Sequence, residues 1–159
     1  MTNSLTLNPA AGLTASASSL HGTILLVEDD PTVREIVCQL IVSLGYEVFS
    51  ATGAGDAVIE FRKHQERIDI VLTDLLMPPA NGRELAEMIC KISPRLKVIF
   101  MSGNLPETLP DGQTMNFLQK PFSRDELGCK LAEVMQQPPS GLPKATEDLA
   151  LHLQPGPVR

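Results

Sequence analysis

Residues 22–31 read Gly22-Thr-Ile-Leu-Leu-Val-Glu-Asp-Asp-Pro31: a short apolar run broken by three consecutive acids and then a proline. Four consecutive apolar residues, Ile24–Val27, bounded by polar punctuation fit a buried parallel strand. Asp30-Pro31 behind them is a good N-cap and first-turn pair for a helix. Working outward, the same design recurs. Ile68-Asp-Ile-Val-Leu-Thr73 runs into Asp74, Leu96-Lys-Val-Ile-Phe-Met101 into Ser102, and Met115-Asn-Phe-Leu-Gln119 into Lys120-Pro121. Ligands of parallel α/β sheets sit at the carboxyl ends of the strands, near the point where the strand order reverses. Acids, a hydroxyl and a lysine are therefore expected to converge at one edge of a sheet.

Helical spacing fills the gaps between these runs. Val33, Ile36, Val37, Leu40, Ile41 and Leu44 mark a first helix that Gly45 stops, and Tyr46–Ser50 reads as the second strand. Ala54, Ala57, Val58 and Phe61 mark a second helix, with Gly53-Ala-Gly55 as the loop that opens it. That glycine pair resembles a fragment of a dinucleotide loop, but it lacks the third glycine and follows the second strand. Leu85, Met88, Ile89 and Ile92 mark a third helix ended by Pro94. Ser123 with Glu126 makes a capping box for a last helix carrying Leu127, Leu131, Val134 and Met135. Between the fourth and fifth strands Pro106, Pro110 and Gly112 leave room for only a stub of helix. The order βαβαβαβ, a weak connection, then βα predicts one doubly wound, three-layer α/β domain with right-handed crossovers.

Composition divides the chain into a lead at 1–21, a core unit at 22–136 and a Pro-rich tail at 137–159. The lead carries no charged residue besides His21 and reads as disordered, as does most of the tail. Within the tail Thr146–Leu153 has the pattern of two helical turns. At 159 residues there is room for one ordinary domain with a sizeable core. A net charge of −6 argues against a general nucleic-acid surface. Cys38, Cys90 and Cys129 form no metal-ligand spacing and read as buried reduced thiols, which suits the cytoplasm. No apolar run approaches the roughly 18 residues that span a bilayer, and the lead lacks the basic start of a secretory signal.

The expected cluster has a definite chemical meaning. A carboxylate attacks phosphorus poorly because the incoming phosphoryl group is itself an anion. A divalent cation held by further carboxylates, with a fixed ammonium, removes that obstacle. Mg²⁺ takes oxygen ligands and leaves several positions to water and phosphate. Glu28, Asp29 and Asp74 would supply the acids, Lys120 the ammonium, and Ser102 a hydroxyl for a phosphoryl oxygen. Each residue also has a plainer reading. The acids at 28–30 can cap a helix, Asp74 can open a loop, Ser102 before Gly103 can be a turn residue, and Lys120 can be solvated.

Taken together, Leu26-Val-Glu-Asp-Asp30, Thr73-Asp-Leu-Leu-Met-Pro78 with Gly82 beyond, Met101-Ser-Gly103 and Lys120-Pro-Phe122 resemble the receiver domain of bacterial two-component response regulators over about Thr23 to Met135. Phe100-Met-Ser-Gly-Asn104 and Phe117-Leu-Gln-Lys-Pro-Phe122 look most like receivers at the C-termini of hybrid histidine kinases. The resemblance implies a flavodoxin-like five-stranded parallel sheet of order 2-1-3-4-5, here with a shortened fourth helix. It implies that Asp74 accepts the phosphoryl group and that Glu28, Asp29, Asp74 and the Leu76 backbone carbonyl hold Mg²⁺. Ser102 and Lys120 would contact the phosphate, Ser102 and Phe117 would form the switch, and Lys120-Pro121 would be cis.

The implied partners are a histidine kinase or histidine phosphotransfer protein and a downstream protein, with no nucleic acid and no membrane. Such a protein is a phosphoacceptor that assists its own Mg²⁺-dependent phosphorylation and dephosphorylation, rather than an enzyme. The chain past Met135 is too short for a DNA-binding module, so a single-domain receiver acting by protein contact is expected. Departures from the family are Ser102 in place of the commoner threonine, Leu76 where many members carry a polar side chain, and the short fourth helix. Two other classes remain open: a phosphorylation-independent adaptor on the same fold, and an aspartyl-nucleophile phosphatase. The second needs an acid two residues past its nucleophile, where this chain has Leu76.

Overall fold

A computed structural model describes residues 21–104 and 115–138. The N-terminal lead, the stub of helix expected around 105–114, the turns expected at Thr146–Leu153 and the tail from 139 lie outside the described residues. The elements run β1 (Thr23–Val27), α1 (Pro31–Ser43), β2 (Glu47–Ala51), α2 (Ala54–His64), β3 (Ile70–Asp74), β4 (Leu76–Met77), β5 (Ala80–Asn81), α3 (Gly82–Ile92), β6 (Lys97–Ser102), β7 (Asn116–Gln119) and α4 (Arg124–Gln136). Five strands form one parallel sheet in the order β2-β1-β3-β6-β7, while β4 and β5 form a separate antiparallel pair. The five-stranded flavodoxin-like order is therefore as expected, the fourth and fifth apolar runs being β6 and β7.

Every residue of β1 is buried, as a central parallel strand with both faces covered requires. Successive side chains leave a strand on opposite faces, and here each face has its own core. Leu25 and Val27 join Val71 and Phe100 against Phe61 of α2 and Leu85 and Ile89 of α3. Ile24 and Leu26 join Leu72 and Met101 against Val37 and Ile41 of α1 and Leu127 and Leu131 of α4. The continuous apolar run that announced the strand is thus two interleaved cores.

Helix ends follow local chemistry. The Asp30 carboxylate accepts from the N–H groups of Thr32 (2.8 Å) and Val33 (3.1 Å), and Pro31 opens α1. The helix stops at Gly45, whose φ of +87° is a conformation that L side chains rarely adopt. The Asn81 side chain accepts from the Glu84 N–H, and Ser123 with Glu126 forms the reciprocal capping box of α4. Tight α1–α4 packing uses Gly128, where a Cβ would sit 3.0 Å from Leu44, and Arg124 ties the end of α1 through the Ser43 carbonyl.

Three details differ from expectation. The β4–β5 hairpin, with a cis Pro78–Pro79 bond at its turn, stands where a plain loop was expected. Two-residue strands are too short to show any period. Ile36, Met88 and Ile92, counted with the apolar helix positions, are 53%, 49% and 43% exposed. Ile36 is rotated about 100° from Val37, which points straight at the sheet. Cys129, expected to be buried, is exposed: it lies between the buried Leu127 and Leu131 on the outward side of α4, whereas Cys90 is buried and Cys38 half-buried.

Candidate functional site

The strand order reverses between β1 and β3, so the crevice outside their carboxyl ends is where a ligand of this fold sits. Val27 pairs with Thr73 in register, which sets Glu28 and Asp74 on adjacent strand ends one step further on. At the far side β6 and β7 end together with Ser102 opposite Gln119, and the Lys120 N–H donates to the Ser102 carbonyl (2.8 Å). That bond carries the lysine side chain back over the sheet edge. The Lys120–Pro121 peptide is cis.

The Lys120 ammonium lies between two carboxylates, 2.6 Å from Glu28 Oε2 and 2.8 Å from Asp74 Oδ2. It is therefore not the solvated lysine of the plainer reading. Glu28 is almost wholly buried, at 1% exposure, and Asp74 is half-buried, while Asp29 is exposed. Burial pushes the Glu28 carboxyl above its usual range, and the hydrogen bond and charge of Lys120 pull it partly back. Burial works against the charge of Lys120 as well, but its bonds to Asp74 and Glu28 outweigh that and hold the ammonium above its usual value. Asp74 Oδ1 accepts from the Leu76 N–H (3.0 Å), which fixes the carboxylate from the loop side.

Carboxylate oxygens of Glu28, Asp29 and Asp74 lie within 4.8 Å of one another. Three acids against one ammonium leave two negative charges uncompensated, and an all-oxygen donor set with that charge suits a hard dication such as Mg²⁺. The three neighbouring acids divide their labour. Asp30 is the helix cap, while Glu28 and Asp29 face the cluster.

Not every expected residue meets the cluster. Among the described residues the hydrogen bonds of the Ser102 hydroxyl both go to Asn104: it donates to the carbonyl (2.7 Å) and accepts from the N–H (3.2 Å). Ser102 is thus a buried strand end that also makes a local turn bond. Phe117 is half-buried with its ring centroid 5.7 Å from that of Phe100. Leu76 is 70% exposed beside Asp74.

Three residues that shape the site were assigned no role in it by the sequence reading, although Thr73 and Gly82 stand in the motif that carries the resemblance. Arg34 Nη1 donates to the backbone carbonyls of Glu28 (2.8 Å) and Asp29 (3.4 Å). The Thr73 hydroxyl donates to the Asp74 carbonyl (3.0 Å). Gly82 lies so close to the end of β3 that a Cβ there would strike the Asp74 carbonyl and come within 2.9 Å of the Thr73 hydroxyl. An arginine in the first turn of a helix that opens on an acid cluster was the available signal for Arg34.

A family model described as the response regulator receiver domain matches residues 24–132. The chain belongs to this family. Receivers are phosphoacceptor signalling modules that generally bind Mg²⁺, and the acid cluster lies where the sheet of this receiver reverses its order. Response regulator receiver protein CpdR of Brucella abortus is 33% identical over 116 residues, covering 70% of this chain and 95% of CpdR. Sensor kinase CckA of the same organism is 33% identical over 127 residues, 76% of this chain, but the chain spans only 13% of that kinase. It likewise spans only 26% of the transcriptional regulatory protein GlrR of Escherichia coli, at 29% identity over 118 residues and 72% of this chain.

Among solved structures, the receiver domain from the hybrid histidine kinase CckA superposes with a TM-score of 0.62 at 30% identity, covering 72% of this chain and all (100%) of that one. The crystal structure of the CheX–CheY–BeF3–Mg²⁺ complex from Borrelia burgdorferi gives 0.67 at 25% identity, covering 73% of this chain and 90% of that one. Among the described residues no helix is long and apolar enough to cross a membrane.

Proposed function

We propose that this receiver, as one unit over residues 22–136, accepts a phosphoryl group on Asp74 from a phosphohistidine and signals by protein contact in the cytoplasm. The donor is a histidine kinase or a histidine phosphotransfer protein. One observation carries the reading: a lysine from the end of β7 bridges a buried glutamate after β1 and the aspartate that ends β3, at 2.6 and 2.8 Å. Several acids packed this closely repel one another, so the arrangement makes poor scaffolding and good anion-transfer machinery.

In the transfer, a carboxylate oxygen of Asp74 forms a bond to phosphorus as the donor's phosphorus–nitrogen bond breaks. The imidazole nitrogen keeps the electron pair and leaves. Glu28, Asp29, Asp74 and the Leu76 backbone carbonyl would hold Mg²⁺, which when bound offsets negative charge on the phosphoryl oxygens. Lys120 brings a fixed positive charge to the same place, and the Leu76 N–H keeps the Asp74 carboxylate oriented. Ser102 and Lys120 contact the phosphoryl oxygens afterwards.

For Ser102 this means giving up two neutral hydrogen bonds to Asn104, each worth about 1 kcal/mol net, for one to an anion, worth about 1.5–3 kcal/mol. The exchange is close to balanced, as a reversible switch requires. Phe117 follows into the space that Ser102 vacates.

Incubation with acetyl phosphate and Mg²⁺ tests the proposal by intact-mass measurement. The expected result is an acid-stable, base-labile gain of about 80 Da that is lost in Asp74→Asn and in EDTA. Turnover of phosphate esters without an adduct would make the chain a phosphatase, and neither result would leave it a phosphorylation-independent adaptor.

A further inference from the structure

We propose that Arg34 is a positioning residue for the metal-holding acids, acting on the backbone of Asp29 and not on any carboxylate. The proposal rests on the Mg²⁺ reading above. Glu28 and Asp29 are consecutive, and consecutive side chains of an extended chain point to opposite sides. Both can face one ion only if the backbone between them is turned and kept turned. Arg34, in the first turn of α1, donates from Nη1 to the carbonyls of Glu28 (2.8 Å) and Asp29 (3.4 Å). Those carbonyls belong to the two peptide planes on either side of the Asp29 Cα. Because each peptide is rigid, pinning both planes fixes the φ and ψ of Asp29.

Among the described residues the other side-chain bonds on these planes come from the Asp30 N–H, which donates to the carboxylates of Glu28 (3.2 Å) and Asp29 (3.1 Å), the groups whose placement is at issue, and Asp29 itself is exposed. The choice of partner is also informative. Four carboxylates sit close by, at Glu28, Asp29, Asp30 and Asp74, yet among the described residues Arg34 forms an ion pair with none. A guanidinium spent on carbonyls leaves the acid oxygens free for a cation.

The positioning role and a simple charge role have opposite signs. Removing a positive charge beside a cation site tightens cation binding by Coulomb attraction alone. Removing the pin loosens Asp29 and weakens it. Isothermal titration of MgCl₂ into the unphosphorylated protein separates the two, with thermal midpoints in EDTA recorded alongside.

The expected result is a Kd about tenfold higher in Arg34→Ala, equivalent to about 1.4 kcal/mol. Arg34→Lys keeps the charge on a side chain one bond shorter, which does not carry its nitrogen to the Nη1 position between both carbonyls, and is also expected to bind more weakly than wild type. It carries the comparison if the alanine variant does not fold. Equal or tighter Mg²⁺ binding in these variants overturns the proposal. So does a lowered midpoint in EDTA with an unchanged Kd, which would make Arg34 a purely structural brace. Asp29→Asn keeps this inference apart from the reading beneath it. Mg²⁺ binding that ignores Asp29→Asn removes Asp29 from the ligand set and the role of Arg34 with it, but leaves phosphoryl acceptance on Asp74 to its own test, whereas a wild-type chain without Mg²⁺ binding removes both.

Discussion

Gly82→Ala isolates one close contact that joins the fold to the site. Gly82 opens α3, and its N–H donates to the Leu75 carbonyl (3.0 Å), which closes the hairpin loop against the end of β3. An added Cβ would overlap the Asp74 carbonyl and press on the Thr73 hydroxyl at 2.9 Å. The first of these is backbone in a central strand and cannot rotate away, so α3 or the end of β3 has to shift by on the order of an ångström to restore contact distance.

Overpacking of this kind costs about 1–3 kcal/mol, and the rigid neighbour puts Gly82→Ala in the upper part of that range. Replacing glycine with alanine in a helix returns up to about 1 kcal/mol, so the net loss is about 1–2 kcal/mol. For a unit of this size that lowers the thermal midpoint by roughly 5–8 °C. Because the displaced carbonyl belongs to Asp74, the rate of adduct formation with acetyl phosphate is expected to fall on the order of a hundredfold at temperatures where the variant is fully folded. Gly55→Ala is the control: Gly55 lies in α2 with nothing within 4 Å of a built Cβ, and is expected to gain about 0.5 kcal/mol with no change in rate. An unchanged midpoint and rate in Gly82→Ala, measured by calorimetry and intact mass, would refute this account of how α3 seats the acid.

Leu76→Asn places a polar group beside Asp74 where the chain now exposes an apolar one, and is expected to shorten the life of the phosphoryl adduct severalfold. Loss of the adduct followed by mass over time checks this, and an unaltered lifetime counts against a part for Leu76. Ellman's reagent at pH 8 is expected to modify the exposed Cys129 quickly in the native protein, and the others fast only in denaturant. Burial pushes the Cys90 thiol up to about 11 and raises that of Cys38, so neither offers much thiolate. Bonds from Ser123 hold the Glu126 carboxyl below its usual range, so its contribution to stability is full above the unfolded value and fades as pH falls through the lower folded one. Glu126→Gln is therefore expected to flatten the loss of thermal midpoint below about pH 4.5, and a parallel acid limb would contradict it.

What the sequence made legible was local. Short apolar runs, a proline after Asp30, the Ser123–Glu126 pair and a glycine at position 45 each act within one turn or one strand, and the elements they announce are present. The convergence of Glu28, Asp29, Asp74 and Lys120 was also readable, because parallel topology sends all strand ends to one edge. Three features escaped for physical reasons. The β4–β5 pair is too short to have a period. The bonds of the Ser102 hydroxyl to Asn104 depend on a rotamer, and no spacing encodes that. The grip of Arg34 on two carbonyls depends on backbone direction at the turn between β1 and α1, where side-chain pattern gives no information.

Lys120 and the Glu28 that it holds are separated by 92 positions in the chain. Their meeting requires the first strand and the last to lie in one finished sheet, with β3 and β6 between them. A nascent chain on the ribosome, or one cut short before its final strand, carries all three acids and no ammonium to gather them. If Asp74 takes up phosphate as proposed, that competence is a certificate of completed assembly, and a half-made copy would be mute instead of sending false messages.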